Sequence, residues 1–260
     1  MINLKEKLQA GEAVHGCWVN GGSILDTEIL GKVGFDWVTI DLEHGVGTEY
    51  NLIGQLQALT GSPTVPLVRV EALIRQRVGR ALDHGAAGII FPMIKTLDEA
   101  KQAASYMRYP PDGVRGMAMM TRATDFSNKF DTYYAEAKDR LTGILQIESA
   151  DCLNHLEDIA NIEGIDVLFV GPADLTLSLG IFRQYEHPLF LDALKAVQAA
   201  AKKAGKATGV LMTDTNEYTK YYDIGYRMLG CGSDSVFVQS GAQNMINKLN
   251  HQQGSSTSNR

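Results

Sequence analysis

The chain has 260 residues, of which 45% are hydrophobic and 21% are charged, and its formal net charge is -6 at pH 7. This is the composition of an ordinary globular protein, and the chain is long enough to bury a large core. A negative net charge without a basic stripe excludes a general attraction to nucleic acid or to anionic membranes.

The amino-terminal segment and the cysteines indicate a cytoplasmic protein. Residues 1–16 carry charges where a signal peptide needs an apolar segment, and no later run reaches the roughly 18 apolar residues of a membrane helix. The cysteines, Cys17, Cys152 and Cys231, are odd in number and form no C-x-x-C pair, which argues against a disulfide framework and a zinc site. We expect them to be reduced and buried.

Eight short runs rich in strand-forming residues are spaced along the chain. The predicted strands cover residues 13–19, 35–41, 64–70, 86–92, 141–148, 165–171, 206–212 and 226–232. Apolar residues three and four positions apart predict intervening helices over 52–60, 74–85, 97–107, 152–160 and 190–205. Several of these stretches end at a glycine that leads into the next strand, as helix C-caps do.

This alternation predicts one (β/α)8 TIM barrel over residues 1–250, because strands that alternate with helices pair in parallel. A doubly wound open sheet is the structural alternative, but no G-x-G-x-x-G motif follows the first strand. Residues 108–140 interrupt the regular spacing and are rich in Pro, Gly, Arg and aromatic residues, so we interpret them as an active-site loop with a short helix. The polar residues 251–260 predict a disordered tail.

The ends of the predicted strands carry the side chains that indicate chemistry, because the loops after barrel strands share one face. These residues are Trp18, Asp41, Glu43, His44, Arg69, Gln146, Glu148, Asp174, Leu211 and Ser233. Glu148 and Asp174 follow neighbouring strands and are suited to share a hard divalent cation. Either acid is equally compatible with a helix cap or a salt bridge, and Asp174 in particular with the N-cap of a helix.

Several motifs together resemble one known family. The motifs are DLEHG, PLVRV, GAAGIIFPMIKTLDEAKQAASYMRYPPDGVRG, LQIES and FVGPADLTLSLG, and they resemble the HpcH/HpaI aldolases, which are metal-dependent class II pyruvate aldolases. The resemblance extends over nearly the whole folded part of the chain. It implies a (β/α)8 barrel that assembles as a homo-oligomer, usually a hexamer.

The resemblance also implies a set of site residues. Glu148 and Asp174 correspond to the ligands of Mg²⁺, Mn²⁺ or Co²⁺. The implied reaction splits a 4-hydroxy-2-oxo acid reversibly into pyruvate and an aldehyde, with pyruvate bound at that metal site. The implied pyruvate contacts are Trp18, Arg69, Gln146, Gly171, Pro172, Ala173 and Leu211. His44 is the implied base, with Asp83 as the partner that orients it.

The chemistry of these residue types agrees with that reaction. A divalent cation and the guanidinium of Arg69 would stabilise the negative oxygen of a pyruvate enolate. His44 would accept the proton of the 4-hydroxyl group. Arg115 and Arg122 also match family positions, and they would hold a loop or meet an acidic substrate.

Four alternatives follow from the same residues. Lys95 would be the nucleophile of a Schiff-base aldolase, although it is better placed to open a helix. The GCGSDS segment before the last helix is compatible with phosphate recognition. A related lyase or decarboxylase would act on oxaloacetate or an acyl-CoA. The last alternative is a binding barrel without catalytic activity, but the loss of Arg69, Glu148, Asp174 or His44 that would favour it is not seen. Ala118 and its bulky neighbours depart from the small-residue loop of sugar-acid aldolases, which leaves the aldehyde open.

Overall fold

The computed structural model describes residues 3–257, in which eight parallel strands close into one barrel. The strands are β1 (Val14–Val19), β2 (Trp37–Asp41), β3 (Val65–Arg69), β4 (Gly88–Phe91), β5 (Thr142–Ile147), β6 (Val167–Val170), β7 (Ala207–Met212) and β8 (Met228–Ser233). Each strand pairs with the next, and β8 pairs with β1. The predicted strands and the single (β/α)8 barrel are therefore confirmed.

Eleven α-helices occur in the described part of the chain. They are α1 (Leu4–Gln9), α2 (Ile24–Val33), α3 (Glu49–Ala58), α4 (Arg75–Asp83), α5 (Leu97–Met107), α6 (Phe130–Arg140), α7 (Leu156–Ala160), α8 (Pro172–Ser178), α9 (Pro188–Lys203), α10 (Tyr218–Ile224) and α11 (Asp234–Thr257). The predicted helices are present, although 152–160 begins as a 3₁₀ turn over Asp151–His155 before α7.

The core has two apolar layers. Side chains such as Leu67, Ile144 and Phe169 fill the interior of the barrel, and a larger cluster lies between the strands and the surrounding helices. Leu4 and Leu8 of α1 join the interior cluster, so α1 covers the amino-terminal end of the barrel. The carboxyl-terminal end carries the polar strand ends.

The long segment 108–140 does not lie where the sequence suggested. It follows the carboxyl end of α5, and the guanidinium of Arg122 donates hydrogen bonds to the carbonyl oxygens of His84 and Leu56. Both acceptors are near helix ends that lead down to the amino ends of strands. Within this chain the segment therefore lies along the amino-terminal end of the barrel, away from the chain's own mouth, and its interpretation as an active-site loop stays a prediction. It carries α6, so the expected helix is present.

The end of the chain also differs from the expectation. Residues 251–257, expected to be disordered, continue α11, and residues 258–260 lie outside the described residues. No proline interrupts this stretch, and extending an existing helix by one residue costs far less than nucleating a new one.

The remaining global expectations concern membranes and cysteines. Within residues 3–257, no helix is both long and apolar enough to cross a membrane. The three cysteines are free; Cys17 and Cys152 are buried and Cys231 is half-buried, close to the expectation. The cytoplasmic location stays a prediction.

Candidate active site at the carboxyl ends of the strands

Arg69 is held in the mouth of the barrel by two carboxylates. Asp41 ends β2 and Arg69 ends β3, and the two residues are partners in the strand register. Arg69 Nε and Nη2 donate to the two oxygens of Asp41 at 3.0 and 2.7 Å, and Arg69 Nη1 lies 2.9 Å from Glu43 Oε2. A guanidinium fixed in this way keeps its orientation, and its charge does not titrate near neutral pH.

Glu148 is a deeply buried carboxylate of the mouth, with 3% of its surface exposed. Its Oε1 accepts the backbone N–H of Met93 at 2.6 Å, and its Oε2 accepts Nε2 of Gln146 at 2.9 Å. Gln146 Oε1 in turn accepts a long hydrogen bond of 3.4 Å from Arg69 Nη1. Gln146 therefore connects the cation to the carboxylate and fixes both.

Burial raises the pKa of Glu148 to about 7. The N–H of Met93 opposes this shift, while the nearby charges of Asp174 and Glu43 add to it. Burial also raises the pKa of Glu43, which Arg69 opposes and Asp174 increases. Three carboxylates thus lie close enough to repel one another, and a proton or a cation between them would relieve that repulsion.

The turn from β6 into α8 brings Asp174 to the same place. Gly171 is the N-cap of α8, Pro172 is the first helical residue, and Asp174 lies in the first turn with its side chain exposed. The interpretation of Asp174 as the N-cap is therefore wrong. A Cβ atom built on Gly171 would lie 2.6 Å from Glu148 Oε2, so only glycine lets the backbone approach the carboxylate this closely.

The set of donors fits a hard divalent cation. Glu148 and Asp174 offer carboxylate oxygens, the ligands that Mg²⁺ and Mn²⁺ prefer. The described part of the chain contains no group of three or more His, Cys, Asp or Glu side chains arranged to hold a metal ion. Two protein ligands would leave the other coordination positions to water and substrate, as a catalytic site requires.

His44 and Asp83 do not meet within the chain. The His44 side chain is 69% exposed, and its Nε2 lies 3.7 Å from Glu43 Oε2. Asp83 ends α4 at the other end of the barrel, where it accepts a hydrogen bond of 2.8 Å from Arg115 Nη2. The expected dyad of His44 and Asp83 is not formed within the chain. A helix that follows a barrel strand runs back toward the amino ends of the strands, so the end of α4 carries Asp83 away from the mouth where His44 lies.

Trp18 forms part of the floor below the mouth. Its ring is 5.4 Å from the rings of both Trp37 and Phe169, and the guanidinium of Arg69 lies 6.0 Å from its centroid. Leu211 is half-buried and packs against the same interior cluster. Both residues lie below the charged groups, in agreement with an apolar base for a small substrate.

One residue of the site, Met93, carried no signal in the sequence. Met93 contributes its backbone N–H, which reaches Glu148 because the residue adopts a left-handed conformation with φ of 55°. Glu43, one of the strand-end residues singled out in the sequence, binds Arg69 directly. Hydrogen bonds from the backbone leave no mark on residue type, whereas the DLEHG motif did place Glu43 near the mouth.

The alternative chemistries find little support in these contacts. Lys95 is exposed and precedes Thr96, the N-cap of α5, as expected for a residue that opens a helix. In the GCGSDS segment, the carboxylate of Asp234 accepts the N–H groups of Asn20 and Gly21 at 3.0 and 2.9 Å. A buried anionic side chain already occupies those donors, so a phosphate would meet repulsion there.

Comparisons with known proteins agree with this geometry. The model of the HpcH/HpaI aldolase/citrate lyase family matches residues 15–241. A 5-keto-4-deoxy-D-glucarate aldolase from Salmonella arizonae is 36% identical over 241 residues, which are 93% of this chain and 94% of that protein. The aldolase of that name from Klebsiella pneumoniae subsp. pneumoniae is 35% identical with the same coverage. The crystal structure of an HpcH/HpaI aldolase/citrate lyase family protein from Burkholderia cenocepacia J2315 matches with a TM-score of 0.91 and 37% identity, covering 96% of this chain and 100% of that one.

Proposed function

Because the chain belongs to the HpcH/HpaI aldolase/citrate lyase family and is a carbon–carbon lyase, we propose that it cleaves a 4-hydroxy-2-oxo acid reversibly to pyruvate and an aldehyde, using a divalent metal ion. The observation that carries this proposal is the buried carboxylate of Glu148, which lies beside Asp174 and is connected through Gln146 to Arg69. This arrangement combines a cation site with a fixed positive charge.

Glu148 and Asp174 would hold the metal ion, which would be Mg²⁺, Mn²⁺ or Co²⁺. When bound, it would polarise the substrate carbonyl as a Lewis acid and stabilise the negative charge that develops during cleavage. Met93 and Gln146 contribute by fixing the Glu148 carboxylate before substrate arrives.

Arg69 would bind and orient the 2-oxo acid. Asp41 and Glu43 already hold its guanidinium, so the positive charge needs no reorganisation when an enolate oxygen becomes negative. The backbone from Gly171 to Ala173 lies at the start of α8, where N–H groups favour a carboxylate. Trp18 and Leu211 would provide the apolar floor under the methyl group.

His44 would accept the proton of the 4-hydroxyl group at Nε2. Its imidazole is exposed at the mouth, where it can meet the part of a substrate that extends away from the pyruvate end. Glu43 lies 3.7 Å from that nitrogen and would stabilise the cation that forms. Asp83 would serve this chain by anchoring Arg115 rather than by touching substrate.

The aldehyde half of the substrate is proposed from the relatives. Two of them are named for 5-keto-4-deoxy-D-glucarate, so this sugar acid is the first substrate to test. Oxaloacetate is the second, because decarboxylation would need the same stabilised enolate.

Exchange of the pyruvate methyl protons with deuterated water, followed by NMR, tests the proposal without knowledge of the aldehyde. We expect exchange in Mg²⁺, Mn²⁺ or Co²⁺ and none in chelator. Arg69→Ala should abolish the exchange, whereas Arg140→Ala, which removes an exposed cation paired with Glu136, should not. Equal exchange with and without metal would refute the metal-dependent mechanism.

A further inference from the structure

A cavity of about 590 Å³ lies at the amino-terminal end of the barrel, opposite to the mouth. We call it the basal cavity; its walls come from α1, from the carboxyl ends of α9 and α10, from the first residues of β7, and from the residues that directly precede β6 and β8. Its volume is in the range of small-molecule sites. None of its lining residues belongs to the proposed catalytic machinery.

The basal cavity is positively charged although the whole chain is negative. Its cations are Lys5, Lys202, Lys206 and Arg227, and its carboxylates are Asp166 and Asp223. Four positive and two negative charges give a local balance of +2, whereas the chain carries -6. An anion that diffuses to this end of the barrel would therefore meet a favourable local potential.

Ion pairs within the chain neutralise only part of the positive charge of the basal cavity. Lys5 Nζ lies 3.2 Å from Asp166 Oδ1 and donates to the carbonyl oxygen of Leu141. Arg227 donates to three backbone carbonyl oxygens and, within residues 3–257, to no carboxylate. The negative charge of Asp166 is thus already used by Lys5, and Arg227 keeps a net positive charge.

Lys206 and Lys202 are the cations of the cavity that have no direct partner among the described residues, and Lys206 is the more buried of the two. It is half-buried, and among residues 3–257 its ammonium group has no hydrogen bond or ion pair. Burial lowers its pKa, an effect that Asp166 opposes and that the neighbouring cations Lys5 and Arg108 increase. A half-buried ammonium group near other cations is costly, and an anion would compensate that cost.

A purely structural explanation covers some of these cations but not all. Positive side chains near the carboxyl ends of α9 and α10 would offset the partial negative charge of the helix ends. Arg227 fits this explanation because it donates to carbonyl oxygens near the end of α10. Lys206 lies beyond the end of α9 and its ammonium donates to no carbonyl oxygen of the described residues.

We propose that the basal cavity binds a small organic dianion, either a dicarboxylate or a phosphate ester, with Lys206 as its central contact and Lys202 as a second one. The bound anion would connect α9 and β7 to α1, which forms one wall of the cavity and covers the barrel interior. Binding to the folded state alone would raise the melting temperature with anion concentration.

Titration calorimetry of the full chain with succinate and with inorganic phosphate, at constant ionic strength in chloride, tests this proposal. We expect saturable binding of at least one anion. The anion that binds with the lower dissociation constant, succinate or phosphate, shows whether the natural ligand carries carboxylates or a phosphate group. Lys206→Met should weaken binding by roughly tenfold or more, and Lys202→Met by less, because Lys202 is exposed. Lys203→Met is the matched control, because Lys203 pairs with Glu157 and does not line the cavity.

Binding at the mouth is distinguished by Arg69→Ala, which removes the guanidinium expected to grip a carboxylate there. Basal binding should survive this change. The proposal is overturned if neither anion binds the unaltered chain, if Lys206→Met binds as tightly as the unaltered chain, or if Arg69→Ala alone abolishes binding. The result is independent of aldolase activity, which the proton-exchange measurement tests separately.

Discussion

At the scale of the single residue, Glu148 shows how burial and hydrogen bonding act on one carboxylate. Burial raises its pKa to about 7, while a backbone N–H and the amide of Gln146 fix both of its oxygens. The group is therefore held in place before any cation binds, at the cost of being half protonated near neutral pH. A cation would displace that proton, so metal affinity should increase with pH.

The raised pKa predicts how stability changes with pH in the metal-free protein. Between pH 4.5, the ordinary pKa, and about 7, folded Glu148 retains a proton that the unfolded chain has released. Stability is therefore lost as the pH rises through this window, by an amount on the order of 3 kcal/mol. Glu148→Gln should remove this loss, which urea unfolding in chelator at about pH 5 and pH 7.5 measures.

The matched control is Glu157→Gln, because Glu157 is exposed and pairs with Lys203 at the surface. It should leave the pH dependence unchanged. A stability difference between Glu148→Gln and the unaltered chain that is the same at both pH values would contradict the prediction.

His44 should affect the proton transfer and not the cation. Its side chain is exposed and contacts Glu43 rather than Glu148 or Asp174. We expect His44→Ala to lower kcat for aldol cleavage by about 100-fold or more, with nearly unchanged metal content. Steady-state kinetics and metal analysis of the purified variant provide the measurement.

His84→Ala is a suitable comparison because His84 follows α4 at the opposite end of the barrel. An unchanged cleavage rate in His44→Ala would remove this residue from the role of base. Loss of metal together with activity would instead indicate a ligand.

At the scale of the element, the backbone that follows β4 adopts a conformation that lets it donate a hydrogen bond to Glu148, the carboxylate that follows β5. Met93 has φ of 55°, a conformation that is costly for a residue with a side chain, and it donates its N–H to Glu148 at 2.6 Å. Its side chain is 46% exposed, so packing does not explain the conformation. The backbone geometry is therefore best explained by the hydrogen bond.

Two substitutions at this position separate the backbone from the side chain. Met93→Gly keeps the N–H and adopts positive φ readily, so metal affinity should persist and stability should change by less than about 1 kcal/mol. Met93→Pro removes the N–H and cannot adopt positive φ, so metal affinity should fall by roughly tenfold or more. Metal titration and thermal unfolding of both variants test this expectation, and equal metal affinity in both would contradict it.

Helix α2 shows why some elements escaped prediction while the strands did not. Ile24, Leu25, Ile29 and Val33 are exposed on α2, so its apolar residues do not mark the buried face. The eight strands were predictable because each is buried throughout or nearly so and reads as a short apolar run. Periodicity indicates an element only where burial within the same chain decides the residue types.

At the scale of the whole molecule, exposed apolar side chains favour an assembly. Besides those of α2, helix α11 exposes Val238, Met245, Ile246 and Leu249. Patches of this kind on a folded chain commonly mark interfaces. They agree with the homo-oligomer that the family resemblance implies.

We therefore expect a homo-oligomer, a hexamer by that resemblance, in native mass spectrometry. Replacing Ile246 and Leu249 with Asp should shift the population toward smaller species, because charges in an apolar interface are costly. Replacing Lys248, on the same helix, with Asp is the control and should have less effect. A monomer in the unaltered chain would contradict the expectation.

The sequence by itself determined the eight strands, the closed barrel and the convergence of Asp41, Arg69, Gln146, Glu148 and Asp174 at one end, because strand periodicity and strand direction are local properties. Only the tertiary structure decided which partners these groups take. The hydrogen bond from Met93, the contact between Glu43 and Arg69, and the pairing of Asp83 with Arg115 depend on loop paths and on which end of the barrel a helix reaches. Residue type does not encode these features, since the same arginine or aspartate can pair with any opposite charge that the fold brings within reach.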